Sequence, residues 1–433
     1  MRGMLPAMSR AIAAVMLAAL VAVLAGGAPA ASAAGRIDAV SPPNSWTTGD
    51  GLARSSAHLQ TAWASDCPPP KGRCATNNGP YMGVFWQRSR STGWSSPERI
   101  SPNHVQAGRT GIAAAGSDVY VAWVSQTRYI DYKPSAARAL SIRVSTDEGH
   151  AWGQSVQLSP GGGRIDYPVV AASGSDAWVV WTNADSGDIR MASSTNHGGT
   201  WATKTIGSTT SGQGDAEGFH GYPAIGASGS NVAVAWIADG GGREVALTSS
   251  TGGAEWSGSS VPTVLTANSP ADLIHYPGAH GADDGQSSRV ALAYTTDQGV
   301  ATRVFDGSSL GPERTVAGPW PDSTAGHRYA GAFGPAVVPS GSSTLAVAWA
   351  ACQDRSSLND ACNTSNSQAR VDILERESTD NGATWSSTVN VGPSAKTARI
   401  NEAPSLEFDG QTRILWLRRM SNYSSYRVVI TVN

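Results

Sequence analysis

Short apolar runs ending in tryptophan recur along the chain: VYVAW at Trp123, AWVVW at Trp181, VAVAW at Trp236 and LAVAW at Trp349. LQTAW at Trp63, VALAY at Tyr294 and RILWL around Trp416 are looser copies. The runs are β-rich and several alternate, as strands buried on one or both faces do. A Gly-Ser turn precedes many of them, at Gly116, Gly174, Gly229 and Gly341, and a polar strand follows each. Then comes a motif or its remnant, with Ser, an acid or amide, Gly and Trp at fixed spacing. One more short strand closes the unit: ERI at Glu98, VQL at Val156, KTI at Lys204, TVL at Thr263, RTV at Arg314 and VNV at Val389. Each repeat therefore predicts four antiparallel strands, and six complete repeats run from about Pro42 to Val391.

The segment from Arg399 to Asn433 holds only three such strands, SLEF, ILWL and RVVITV. Its missing outer strand has a candidate at the other end of the chain, because RIDAVSP at Arg36 resembles ERISP and VQLSP. Pairing the two closes a ring of seven four-stranded blades, an all-β propeller in which ring closure leaves only short, protected strand edges. Six blades with the last segment as an extra edge is the alternative.

The motif reads STDEGHAW at Ser145–Trp152, STDNGATW at Ser378–Trp385, STNHGGTW at Ser194–Trp201 and SSTGGAEW at Ser249–Trp256. It suits a tight reversal between third and fourth strands. Asp147 and Asp380 accept hydrogen bonds from turn N–H groups, and Ser145 and Ser378 do so near the start. Gly149 and Gly382 take a positive φ without steric cost. Trp152, Trp201, Trp256 and Trp385 pack a large apolar face. Asn196 replaces the acid with an amide oxygen, and Thr251 stands in its place in the fourth copy. The aspartates are thus turn residues rather than catalytic ones.

These repeats resemble the Asp-box repeats of the sialidase family, with the frame S-x-D-x-G-x-x-W. The likeness covers nearly the whole chain after its first residues. It implies a propeller whose Asp boxes lie on the face away from the active site. The family's chemistry, carried over, implies arginines against a substrate carboxylate, a tyrosine nucleophile oriented by a glutamate, and an aspartic acid as acid/base. The family's early F/Y-R-I-P motif is missing here.

Composition narrows the partners. Charged residues make up only 15% with a net charge of -2, and no block of Lys and Arg stands ready to meet phosphates, so a nucleic-acid surface is excluded. Arg2 and Arg10, the apolar run Ala11–Leu24 and Ala31-Ser32-Ala33 read as a secretory signal over residues 1–33, leaving 34–433 as one propeller domain outside the cell, with no membrane contact after cleavage. In that compartment the four cysteines read as local disulfides, Cys67 with Cys74 and Cys352 with Cys362. No cofactor is expected and the protein is expected to be a monomer. Spacing offers a metal only His275, His280 or Asp283.

Candidate chemistry gathers where inner strands begin: GRT at Gly108, GRIDYP at Gly163, HGYP at His220, IHYP at Ile274, HRYA at His327 and RINEAP at Arg399. Counted back from the VAW tryptophans, Arg109, Tyr167, Tyr222 and Glu402 fall at equivalent places. Tyr276 and Tyr329 belong to longer versions. Arg109, Arg164, Arg328, Arg399, His327, Tyr276, Tyr329 and Tyr129, the last in the polar loop Arg128–Arg138, are the expected substrate contacts. Tyrosines stack on sugar faces and arginines grip carboxylates. Tyr167, Tyr222, Glu402, Asp166, His220 and His275 are the candidate catalytic groups. Three functions fit: a sialidase-like exo-glycosidase acting on acidic glycans, a polysaccharide lyase using the His, Tyr and Arg groups, or a noncatalytic glycan- or protein-binding propeller.

Overall fold

The computed structural model describes residues 36–41, 47–65, 83–102, 106–126, 138–159, 165–183, 185–209, 222–237, 244–251, 263–266, 278–281, 289–296, 299–319, 322–324, 327–353, 370–392, 398–420 and 426–432. They are strands and turns, with no helix among them. Strand β1 (Arg36–Ala39) comes first in the chain. The first blade follows with β2 (Thr47–Arg54), β3 (Leu59–Ser65) and β4 (Gly83–Arg90), edged by β5 (Gly93–Trp94) and β6 (Glu98–Arg99). The second is β7 (Gln106–Ala115), β8 (Asp118–Gln126), β9 (Arg138–Ser145) and β10 (Val156–Gln157). The third is β11 (Ile165–Ser173), β12 (Asp176–Asn183), β13 (Asp188–Ser194) and β14 (Ala202–Ser208). The fourth is β15 (Ala224–Ser228), β16 (Asn231–Ile237), β17 (Glu244–Thr251) and β18 (Thr263–Thr266). The fifth is β19 (Gly278–Gly281), β20 (Val290–Thr296), β21 (Gly299–Phe305) and β22 (Arg314–Ala317). The sixth runs β23 (Asp322–Thr324), β24 (His327–Ser340), β25 (Thr344–Gln353), β26 (Val371–Ser378) and β27 (Val389–Gly392). The seventh is β28 (Ala398–Phe408), β29 (Thr412–Met420), β30 (Tyr426–Val432) and, returning from the far end of the chain, β1.

The first strands of successive blades touch in a closed circle, β2 to β7, β11, β15, β19, β24, β28 and back to β2. Seven sheets therefore surround one axis. The circle is sealed by the antiparallel pairing of Arg36 with Val432 through Ala39 with Val429. Small details confirm that β1 serves as an outer strand, since Ser41 plays the part that Ser101 and Ser159 play in the first two blades. Each accepts the amide of a third-strand residue on its Oγ: Val428 at 2.9 Å, Val84 at 3.0 Å and Leu140 at 2.8 Å. The RIDAVSP, ERISP and VQLSP likeness is thus a shared serine cap. With this strand in place, the last segment is a blade and not a loose edge.

The second-strand tryptophans are the bolts between blades. Trp63, Trp123, Trp181, Trp236, Trp349 and Trp416 are fully buried, with Tyr294 in the same role in the fifth blade. Each of the first three packs on the end of the preceding blade's outer strand, Trp123 with Ile100, Trp181 with Leu158 and Trp63 with Val40. Trp236 donates its indole N–H to the Ser208 carbonyl at 3.0 Å, and the outer strand there carries Gly207, whose Cβ would come within 2.4 Å of the ring. Burying one such ring contributes on the order of 2–3 kcal/mol, so a large aromatic ring on each second strand, tryptophan in six blades and tyrosine in the fifth, holds the ring together.

Candidate functional site

Five of the inner strands carry a bulge near the channel mouth, and the register records it. In β7 the pairing skips Arg109, between Gly108 opposite Val124 and Thr110 opposite Trp123. In β11 it skips Tyr167 and Pro168, between Asp166 opposite Thr182 and Val169 opposite Val180. The same bulge falls at Gly49 in β2, at Gly334-Pro335 in β24 and at Ala403-Pro404 in β28. In the fourth blade Tyr222-Pro223 sits directly ahead of β15. Proline has no N–H to offer a ladder, so it belongs at such a bulge.

At four of these places the backbone is left-handed: Arg109 (φ 48°), Tyr167 (φ 53°), Tyr222 (φ 35°) and Gly334 (φ 53°). Glycine takes that conformation freely, whereas an arginine or a tyrosine held there costs about 1–3 kcal/mol. The three strained side chains belong to consecutive blades and form one stack. The Arg109 guanidinium carbon lies 4.2 Å from the centre of the Tyr167 ring. The Tyr167 and Tyr222 rings lie 4.0 Å apart at 43°. The Tyr167 hydroxyl donates to the Tyr222 hydroxyl at 2.8 Å. Tyr222 is buried, and Arg109 and Tyr167 are half-buried. The contact orders the guanidinium against an aromatic ring, and a guanidinium is a group that grips a carboxylate by two in-plane hydrogen bonds.

Counting back from tryptophan therefore places three of the four residues correctly and misplaces the fourth. Glu402 pairs with Leu417, as Asp166 pairs with Thr182, and Ala403 occupies the place of Tyr167. The slip arises because the β28–β29 ladder is one pair shorter, while its turn, closed by Phe408 opposite Thr412, is one residue longer than the turn closed by Ser173 opposite Asp176. Asp166, His327, Arg328, Arg399, Glu402 and His280 have described strand positions but no described side chains. Tyr129, Arg164, His220, His275, Tyr276 and Asp283 lie outside the described residues. Tyr329 stands apart from the stack. It is fully buried in the sixth blade and donates to Asp372 Oδ2 at 2.8 Å, an oxygen shared with Gln353 and Asn390. Burial and the Asp372 charge push its phenol above the usual tyrosine range. Among the described residues no group of three or more His, Cys, Asp or Glu could hold a metal ion. Cys352 is disulfide-bonded. Cys67, Cys74 and Cys362 lie outside the described residues.

The Ser-Asp-Gly-Trp turns sit at the other end of the blades. Ser145 Oγ accepts from Gly149 N at 2.8 Å and donates to Asp147 Oδ1 at 2.7 Å, which in turn accepts from Ala151 N at 2.8 Å. Ser378, Asp380, Gly382 and Thr384 repeat this scheme. Asn196 Oδ1 takes the acid's part, accepting from Ser194 Oγ at 3.0 Å and Thr200 N at 2.9 Å. The Ala151 amide, then the Ser145 hydroxyl, hold the Asp147 carboxyl below its ordinary value. The Thr384 hydroxyl and then its amide hold Asp380 at about 2. Trp152 packs edge-on against Trp86 of the preceding blade, 5.3 Å away at 78°, and Trp201 and Trp385 likewise pack into the seams with the second and fifth blades. Trp256 lies outside the described residues.

One position of this turn escapes a reading by residue type. The fourth residue of the motif, Glu148, His197 or Asn381, is left-handed at φ 58°, 57° and 57°. Its N–H closes on its own blade's first turn, at Ser117, Ser175 and Ser343. Its side chain crosses to a neighbouring blade: Glu148 accepts from Ala57 N at 3.0 Å and faces His58, His197 Nδ1 meets Asp118 Oδ2 at 2.6 Å, and Asn381 accepts from Arg289. The only sequence signal is a polar residue before the motif glycine in three of the four copies, with Gly252 in its place in the fourth.

No protein-family model matches the chain, and no curated protein matches it by sequence. Solved structures do. The intramolecular trans-sialidase from Ruminococcus gnavus aligns at 10% identity and a TM-score of 0.44, covering 70% of this chain and 90% of that one. The Trypanosoma rangeli sialidase in complex with sialic acid aligns at 11% and 0.44, over 89% of this chain and 54% of that one. The fungal Aleuria aurantia lectin, a six-bladed β-propeller that recognises fucose, aligns at 12% and 0.41, over 81% of this chain and 97% of that one. At such identities these are likenesses of fold.

Proposed function

We propose that the protein takes acidic carbohydrate at the mouth of its channel through Arg109, Tyr167 and Tyr222. The observation that carries this reading is the stack those residues form on left-handed bulges of three consecutive blades. Backbone strain persists where function requires a side chain in one place. A guanidinium ordered on an aromatic face suits a carboxylate, and tyrosine rings suit the C–H face of a sugar. The basic, apolar and small-residue pattern of residues 1–33 supports work outside the cell.

Hydrolysis of a sialidase type is the catalytic form of the same reading. It is favoured by the Tyr167–Tyr222 hydroxyl pair at 2.8 Å, since a tyrosine nucleophile is a known departure from two-carboxylate glycosidases. Calorimetry against sialylated and uronate-containing saccharides, with mass spectrometry of the mixtures, tests both. The expected result is binding that Arg109→Ala weakens by about 10–100-fold. Products that gain the mass of water identify hydrolysis, and Tyr167→Phe then abolishes it while leaving affinity within a few-fold. Cleavage without added mass and with an unsaturated end identifies a lyase instead. Failure of every saccharide to bind, or equal binding by Arg109→Ala, overturns the proposal.

A further inference from the structure

Glu375 lies where a carboxylate has no ordinary reason to be. It follows Val371 and Ile373 on the face of β26 that packs against the seventh blade, since alternate residues of a strand share a face. Its cross-strand neighbours on that sheet are Ala348 and Val389. Across the seam the same apolar layer holds Leu406, Phe408, Ile414 and Trp416, with Ala346, Ala350 and Val391 around it. Glu375 is 3% exposed and its Oε1 has no hydrogen-bond partner.

The charged groups around it give no relief. Glu377, next on the same face, is another acid, engaged by the Thr412 hydroxyl at 2.8 Å. Arg376 points to the other side and donates to the Val316 carbonyl of the fifth blade. Asp372, on that other side too, is taken by Tyr329, Gln353 and Asn390. Arg413, on β29, is paired with Asp409 at 3.0 Å. On the seam face of β29, two residues beyond Trp416, Arg418 lies over the Trp416 ring, 5.5 Å from its centre, and among the described residues Glu377 is the charge that acts on Glu375. A neutral carboxylic acid is tolerated in such a layer, whereas a charge there lacks both water and a counter-ion.

We propose that Glu375 is a proton-controlled lock on the seam between the sixth and seventh blades, closed when its carboxyl is protonated and strained when it ionises. The inference is independent of what binds at the channel mouth. Burial, then the nearby Glu377 charge, raises this carboxyl to about 8 from an ordinary 4.5. Across that window the folded protein holds a proton that the unfolded chain has released. Stability conferred by the neutral acid is therefore fully present at and below about pH 4.5 and declines as pH rises toward about 8.

The test is thermal unfolding of the full chain at several pH values from about 5 to about 8.5, a range set by that window. The wild type is expected to lose Tm as pH rises. Glu375→Gln, which keeps the shape of the neutral acid, is expected to lose less than half as much. Glu375→Met serves in its place should the amide fail to fold. Hydrogen exchange adds a local readout: near the upper end of the range, amides of β26, β28 and β29 open about tenfold more often in the wild type than in the variant, while β8 and β12 do not differ. A variant whose Tm falls as steeply as that of the wild type, or exchange that is equal at the seam, overturns the proposal.

Discussion

The two ends of a blade solve opposite problems. At the turn end, Ser145, Asp147 and Gly149 satisfy one another's hydrogen bonds, and Ser378, Asp380 and Gly382 do the same in the sixth blade. At the mouth end the equivalent places hold Arg109, Tyr167, Tyr222, Gly334 and Ala403, no longer one residue type, and the first three sit on backbone that suits glycine. Repetition at one end marks a shared structural need. Left-handed residues occur at both ends, but at the mouth their types diverge from blade to blade, which is why the mouth is the end we propose for a ligand.

The hardest blow to this contrast would land at the turn end. Gly149→Ala is expected to destabilise the fold by about 3 kcal/mol, because φ is +80° and a Cβ would lie 2.1 Å from the Trp86 ring. Chemical denaturation measures it, and a loss within a few tenths would mean that the seam yields.

The mouth should respond in the reverse sense. Arg109→Gly is expected to gain about 1 kcal/mol of stability by releasing left-handed strain, while saccharide affinity drops by about 10–100-fold. A variant that is less stable than the wild type would show that Arg109 is retained for the fold.

Asp147→Ala is next, with an expected loss of about 1–2 kcal/mol from its turn hydrogen bonds and unchanged ligand affinity. An unchanged Tm would remove the structural role. Asp147 and Asp380 also set an acid limit. Both carboxyls titrate lower in the folded state, so their contribution is present above about pH 3.8 and is lost as pH falls below it, for Asp380 toward about 2. The Asp147→Asn, Asp380→Asn double variant should flatten that acid arm in a pH series of melts, and an identical acid arm would assign it to other groups. The smallest effect is expected from Glu148→Ala, a few tenths of a kcal/mol for one partly exposed latch, best read as faster amide exchange around Ala57 and Ser117.

Legibility in the sequence followed how local each cause is. Strand, turn and Ser-Asp-Gly-Trp spacing are set by neighbours along the chain, so they could be read directly, and the likeness of RIDAVSP to ERISP and VQLSP pointed to the distant ends that pair. Arg109, Tyr167 and Tyr222 could be aligned by counting because the second, third and fourth blades share strand and turn lengths. Counting failed at Glu402, where a shortened ladder and a longer turn shift the register by a residue. Tertiary structure alone decided that Arg109, Tyr167 and Tyr222 stack, that Tyr329 is spent on Asp372, that Glu148 and its counterparts reach across seams, and that Glu375 faces an apolar layer. Each of those depends on which blade stands beside which and on the side to which a strand's alternate residues turn. Hydrophobic periodicity encodes that a face is buried, but the partner it is buried against is chosen only when the ring closes.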